Sequence, residues 1–295
     1  MVAAAAVLAG CLLLVATVLP HALAGADWPQ RSPALGLVLW QALGLAAGLL
    51  TLTLLATVAL APLGQDHLDA LRNLGDAGVV TWIAGGLGLA VLLRLLSVLL
   101  ASTARTLRAR HENRVLVDLV AAPHLLLRGA SVVDHDVPLA YCLPGLRPRL
   151  VLSRGTLDLL SSDELQAVVA HEHAHLAQRH DLVVLPFVAL AATFPAVPAV
   201  STAQAEVALL VELMADDHAA RRHDRTQLAR ALWKIGTGGA PAGALGLAGE
   251  DVLLRARRLL DPPAPLGLPA RIGVIVLALV VAASPASALV VPLLG

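Results

Sequence analysis

Charge is scarce in this sequence. Only 14% of its 295 residues are Asp, Glu, Lys or Arg, and 21 basic side chains balance 21 acidic ones, for a formal net charge of +0. That balance leaves no electrostatic footprint for nucleic acid or for an acidic partner surface. The two cysteines, Cys11 and Cys142, are too few for a disulfide framework and have no metal-type spacing. Lysine is almost missing: Lys234 is the only one, and the abundance of Ala, Leu, Val, Gly and Arg points to a GC-rich bacterial genome. What is present is apolar. The hydrophobic fraction is 58%, against about 45–50% in soluble domains, so composition predicts a membrane protein.

Four apolar segments have the roughly 20 residues that a helix needs to cross a bilayer. They run over Val2–Leu23, Ala34–Ala61, Gly78–Ala101 and Ile272–Leu294. Trp40 and Gln41 in the second are placed to face another helix, and Arg94, near the end of the third, can snorkel to the headgroups. "LAGC" at Leu8–Cys11 has the look of a lipoprotein cleavage box. No Lys or Arg precedes it, however, and apolar sequence continues as "LLLVATVL", so a retained membrane helix is predicted. Arg105, Arg108, Arg110 and Arg114 follow the third segment, Arg255, Arg257, Arg258 and Arg271 precede the fourth, and Arg31 lies between the first two. The remaining loop has Arg72 against Asp66, Asp69 and Asp76. The positive-inside rule then puts both chain ends outside and residues 102–271 in the cytoplasm. The expected architecture is a membrane α-helical protein of four spans with an inserted cytoplasmic α+β domain. Residues 1–101 hold three transmembrane helices, 102–271 the domain, and 272–295 the fourth helix.

Within the insert, "TARTLRARHENR" reads as a helix continuing out of the membrane, and "HDVPLAYCLPGLRPRLVLS" as short strands broken by Pro and Gly. Of these, "RPRLVLS" is the expected edge strand to which an extended substrate could add. "SSDE" at Ser161–Glu164 is a capping-box pattern, predicting a helix that carries "LQAVVAHEHAHLAQRH". A second helix is predicted from about Ala205 to Arg222. The apolar stretch Leu182–Val200 between them invites assignment as a fifth span, but Pro186, Pro195 and Pro198 oppose a straight helix. It is expected to lie against the bilayer or the insert's own core.

Helical geometry sorts the polar residues. Residues four apart are about 400° apart around the axis, hence on one face. His171 and His175 can therefore share one metal ion, with Glu172 at the edge of that face in reach of a water: the H-E-x-x-H pattern. His173 points roughly 200° away, as a surface or packing residue. A catalytic site needs a third protein ligand. "ELMAD" offers Glu212, with Asp216 one turn on to hydrogen-bond a ligating histidine. Taken alone, that pair would be solvated charge on an amphipathic helix; after an H-E-x-x-H the metal assignment is favoured. Asp217 is turned about 140° from Glu212. On a continuing helix His180 is likewise about 140° off the metal face, making it a poor fourth ligand for a closed, structural site. Asp181 has the spacing of a metzincin third ligand, but Gln178 stands where those sites have a turning Gly, so the helix is expected to run on. Arg221, His218 and His223 are near the second helix, yet none stands out as an oxyanion donor.

"VVAHEHAH" with "ELMAD" downstream is similar to the gluzincin pattern. "VLSRGTLDLLSSDELQAVVAHEHAHLAQRHD" resembles the catalytic segment of the BlaR/MecR-type integral membrane zinc metallopeptidases, which place three spans before a cytoplasmic zinc domain and one after it. That resemblance implies a gluzincin-like peptidase domain with zinc on His171, His175 and Glu212, Glu172 as catalytic base and Asp216 as an outer-shell partner. It implies the lipid bilayer and a protein substrate, a transcriptional repressor or a membrane protein, as partners. The chain stops at Gly295, so the extracellular penicillin-binding domain of the β-lactam-sensing members is not expected. HtpX-like quality-control proteases share the motifs with a different interleaving of spans. A site-2 protease would bury them in a membrane helix, which "AQRHD" opposes, and the "LLDPP" at Leu259–Pro263 reads as a loop. A scaffold with structural zinc is the non-enzymatic rival.

Overall fold

The computed structural model describes residues 2–64, 73, 75, 78–123, 130–143, 148–238 and 247–286. In chain order the helices are α1 (Val2–Leu13), continued through a π-helical turn at Leu14–Val18 into α2 (Leu19–Ala24), then α3 (Trp28–Arg31), α4 (Pro33–Leu60) and α5 (Val79–Val120). Strands β1 (Ala121–Pro123), β2 (Ala130–Val133), β3 (Ala140–Leu143) and β4 (Arg149–Ser153) follow. The chain goes on with α6 (Arg154–Leu159), α7 (Ser162–Ala177), α8 (His180–Thr193), α9 (Pro198–Ala219), α10 (Arg225–Gly238), α11 (Leu247–Leu260) and α12 (Leu268–Ala283). The chain divides into two compact units. One comprises Met1–Ala101, Pro186–Val207 and Leu266–Gly295; the other comprises Ser102–Leu185 and Ala208–Pro265.

The first unit is helical. Among the described residues four stretches are long and apolar enough to cross a membrane: Val2–Ala24, Pro33–Leu63, Val79–Arg105 and Leu268–Ala286. Pro33 and Pro269 each open their helix, where the missing N–H costs nothing. Side chains such as Leu8, Trp40, Ala46 and Leu50 are buried between helices, whereas Trp82, Ile83, Leu279 and Val280 are more than half exposed. Helices that turn large apolar side chains outward suit a hydrocarbon surrounding. The last residues expected in the fourth span, 287–294, and the loop charges Asp66, Asp69, Arg72 and Asp76 lie outside the described residues. The stretch Leu182–Val200 is not one straight helix: α8 ends at Thr193, and α9 begins at Pro198 after a break containing Pro195. From Pro186 on it belongs to a segment, Pro186–Val207, that groups with the apolar helices.

The second unit is α+β. Its sheet has the order β1-β2-β4-β3, with β2 and β4 parallel and the other two pairs antiparallel. The apolar run "LVL" of β4 is buried on both faces, as a central strand requires. Leu150 and Leu152 pack towards Leu165 and Val169 of α7, while Val151 meets Leu143 and Val117 of α5 on the other face. This corrects one expectation: "RLVLS" is interior, and among the described residues the sheet's edges are β1 and β3. Leu139 accepts the Ser153 N–H and β3 pairs antiparallel with β4. The alternation of such a ladder therefore turns the N–H and C=O of Ala140 and Cys142 to the open side.

α7 starts with the capping box that "SSDE" predicts. Ser161 N–H donates to Glu164 Oε2 at 2.8 Å and Glu164 N–H to Ser161 Oγ at 3.3 Å. Glu164 is also paired with Lys234 Nζ of α10 at 2.7 Å, so the single lysine ties α10 to the start of α7. Ala167, Ala219, Leu228, Ala229, Ala256 and Leu259 form a core shared by α7, α9, α10 and α11. This common core joins α7 and α9, the two helices that carry the site.

Candidate metal centre

His171 and His175, one turn apart on α7, bring their Nε2 atoms to 3.1 Å. Glu212 of α9 reaches both, with Oε2 3.4 Å from His171 Nε2 and Oε1 3.5 Å from His175 Nε2. A tetrahedral ion holding ligands at about 2.0–2.1 Å sets them roughly 3.3 Å apart. The three donors already stand at that separation and form a cluster that could hold a metal ion. Two imidazoles and one carboxylate leave a fourth coordination position open, which is the donor set of a catalytic zinc.

The His171 side of the cluster is charged. His171 Nδ1 lies 2.9 Å from Asp216 Oδ1, though out of line with the ring N–H. Asp216 is fully buried and is gripped by Arg255 of α11 through two bonds of 2.8 Å, from Nε to Oδ2 and from a terminal nitrogen to Oδ1. The other terminal nitrogen of Arg255 is 2.8 Å from Glu212 Oε2. Beside it Arg258 holds Asp217 in a second fork, at 2.7 and 2.9 Å. Burial would raise the carboxyl pKa values. Hydrogen bonding from His171 together with Arg255 nevertheless brings Glu212 down to about 2, and the fork of Arg255 holds Asp216 well below the usual carboxylate range. Burial would lower His171, but Asp216 and Glu212 outweigh it and push it up to about 9. His175, by contrast, is pushed down to about 4, by burial first and then by the charges of His171, His180 and Arg255, which outweigh the attraction of Glu212.

The His175 side is neutral, and here the structure departs from expectation. α7 does not run on through Gln178. It ends at Ala177, and Arg179 takes a left-handed φ of 51°, the only non-glycine among the described residues to do so. The turn folds His180 back, so that its Nδ1 is 3.0 Å from His175 Nδ1 and its Nε2 is 3.1 Å from Gln178 Oε1. Gln178 Nε2 in turn faces His218 Nδ1 at 3.4 Å, and Arg221 approaches the same nitrogen at 3.1 Å. Asp181 lines the cleft but is not in the metal cluster. His173 is exposed.

Glu172, beside these ligands, lines a cleft of about 530 Å³ whose opposite wall is β3, with Ala140, Tyr141 and Cys142. Burial raises the Glu172 carboxyl to about 7, despite the nearby His171 and a hydrogen bond from the Cys142 backbone. Burial likewise pushes the Cys142 thiol up to about 12, with Glu172 adding to the effect, so that sulfur is no nucleophile at neutral pH. A carboxylate with a pKa near neutrality, next to three converging metal donors and a free strand edge, can exchange protons with a bound water and substrate.

Residues 103–211 match the model of peptidase family M48, a family of zinc metallopeptidases. The match takes in His171, Glu172 and His175 and ends one residue before Glu212. No curated protein and no solved structure matches the chain. The chain thus combines a segment similar to a metallopeptidase family with helices long and apolar enough to span a membrane.

Sequence reasoning brought out His171, Glu172, His175, Glu212 and Asp216, and the structure places all five at one locus. It missed Arg255, which reads in the sequence as one of several arginines flanking a membrane span. It also set His180 aside, because a continuing helix was assumed.

Proposed function

We propose that this protein is an integral membrane zinc metalloendopeptidase of the bacterial cell membrane, with its cleft on the cytoplasmic side. The observation that carries the proposal is the convergence of His171, His175 and Glu212 at ligand spacing, with Glu172 beside them. Zinc held there would polarise a scissile carbonyl and acidify a water. An extended substrate adds to β3, pairing with the N–H and C=O of Ala140 and the C=O of Cys142. A carboxylate oxygen of Glu172 takes the proton from the attacking water and delivers it to the leaving amide nitrogen. Asp216 fixes His171 through Nδ1, and Arg255 fixes both carboxylates.

The likeness to BlaR/MecR-type peptidases, a different family from the one whose model matches, is supported by "VLSRGTLDLLSSDELQAVVAHEHAHLAQRHD" and by three apolar helices before the domain and one after it. It points to regulated cleavage of a transcriptional repressor or a membrane protein. Membrane-protein quality control of the HtpX kind is the second reading, favoured by a strand edge that takes any extended chain. Purified full-length protein in detergent should cleave an unfolded protein substrate, stop with a chelator and recover with zinc; cleavage indifferent to chelator would defeat the proposal. For orientation, a cytoplasm-only reporter inserted near Gly239 should be active and one after Gly295 silent; both positions lie outside the described residues. The reverse pattern would place the cleft outside the cell.

A further inference from the structure

A histidine that gives Nε2 to a metal must carry its proton on Nδ1, and that proton needs an acceptor. For His175 the group at hand is His180 Nδ1, 3.0 Å away. His180 can accept there only if its own proton is on Nε2, and Nε2 faces a carbonyl-type oxygen, Gln178 Oε1, at 3.1 Å. The Gln178 amide is then oriented with its nitrogen towards His218 Nδ1, at 3.4 Å. One placement of protons satisfies both contacts of His180: His175 donates to it, and it donates to Gln178. His218 Nδ1, beyond Gln178, has its lone pair engaged by Arg221 at 3.1 Å.

The backbone supplies an independent observation. Arg179 stands between Gln178 and His180 in a left-handed conformation that is strained for any non-glycine residue. A helix running on would have avoided that cost and carried His180 about 140° away from His175. We propose that His180 is a positioning residue for the metal ligand His175, accepting its Nδ1 proton, and that the strained turn at Gln178–Arg179 exists to bring it there. His180 is not a fourth ligand. Its Nδ1 meets the far side of the His175 ring, and its Nε2 is taken by Gln178. This assignment rests on the zinc reading of the site.

The test is zinc affinity of the full-length protein in detergent, measured by competition with a chelator, alongside thermal melts of the metal-free forms. His180→Phe keeps a ring and loses the acceptor, and should bind zinc roughly 10–100-fold more weakly with an unchanged metal-free melt. His180→Asn places an amide oxygen where Nδ1 stood and should restore affinity to within a few-fold. His180→Gln places its polar atoms where Nε2 stood and should not. Wild-type affinity in His180→Phe, or equal affinity in the Asn and Gln variants, would overturn the assignment while leaving the peptidase reading intact. A wild-type protein that takes up no zinc would sink both. Should His180→Phe fail to fold, the contrast between Asn and Gln still decides.

Discussion

The two sides of the metal cluster meet the same demand by different means. Under the proposed zinc site, each of its two histidines needs a partner at Nδ1. His171 has an anion, Asp216, whose burial is tolerable only because Arg255 forks onto it. His175 has the neutral lone pair of His180, which needs no counterion and is obtained instead by straining one backbone residue. The charged side draws on α9 and α11, far apart in sequence, whereas the neutral side is built almost wholly from residues within a turn of His175. Electrostatic compensation is expensive to interrupt, because removing one partner strands a buried charge. Strain is cheap to relieve. The two flanks should therefore fail by different amounts and in different ways.

The largest effect belongs to the residue that faces both histidines. Glu212→Ala should purify without zinc and without activity, while Asp181→Ala should keep both; zinc content of the two proteins decides between them. Next is Glu172→Gln, which leaves every ligand in place and should retain zinc while kcat falls about 10²–10⁴-fold. The same substitution has a pH signature in the metal-free protein. Because folding raises Glu172 from 4.5 to about 7, its contribution to stability is present below 4.5 and lost as pH rises through about 7. Melts in chelator should show that decline in wild type and less of it in Glu172→Gln.

Smaller, and confined to the charged flank, is Arg255→Met. It leaves Asp216 buried without its cation and should cost about 3–5 kcal/mol in chemical denaturation. In wild type the depressed Asp216 carboxyl contributes stability above its ordinary value of 3.8, lost as pH falls towards its folded value. In Arg255→Met that acid-side loss should begin at higher pH. A loss under 1 kcal/mol would erase the contrast between the flanks. The smallest effect is expected on the neutral flank. Arg179→Gly removes the φ penalty and should change stability by less than about 1 kcal/mol, whereas Arg179→Ile should lose about 1–2 kcal/mol. Zinc affinity should hold in the glycine variant, since the turn is preserved.

The parts of this site that repeat on a helix were legible. His171 with His175, and Glu212 with Asp216, are four apart, and a period alone puts each pair on one face. The capping box gave α7 its start for the same reason: the signal is local and chemical. Its end was not legible, because no Gly or Asn marks the left-handed residue, and Arg179 adopts it only where His180 gains partners on the far side. Arg255 was hidden by its surroundings, since an arginine near a membrane span has an adequate explanation already. In the sheet, "RLVLS" and "AYCL" were both visible as strands, but which is central depends on β2 pairing in parallel with β4 from a distance. No local pattern carries that. The four long apolar helices needed only hydropathy.

The open edge of β3 has a consequence for what can be cut. A strand edge recognises backbone, and it recognises it only when N–H and C=O are unengaged. A helix or a folded sheet in another protein keeps those groups for itself. In a peptidase built on this edge, a segment must first come loose over several residues before it can be cleaved. Local opening in the target then governs the rate: a stably folded neighbour survives beside the enzyme, while the same sequence, once frayed or unassembled, does not. Selection would follow the target's state of folding more closely than the identity of its side chains.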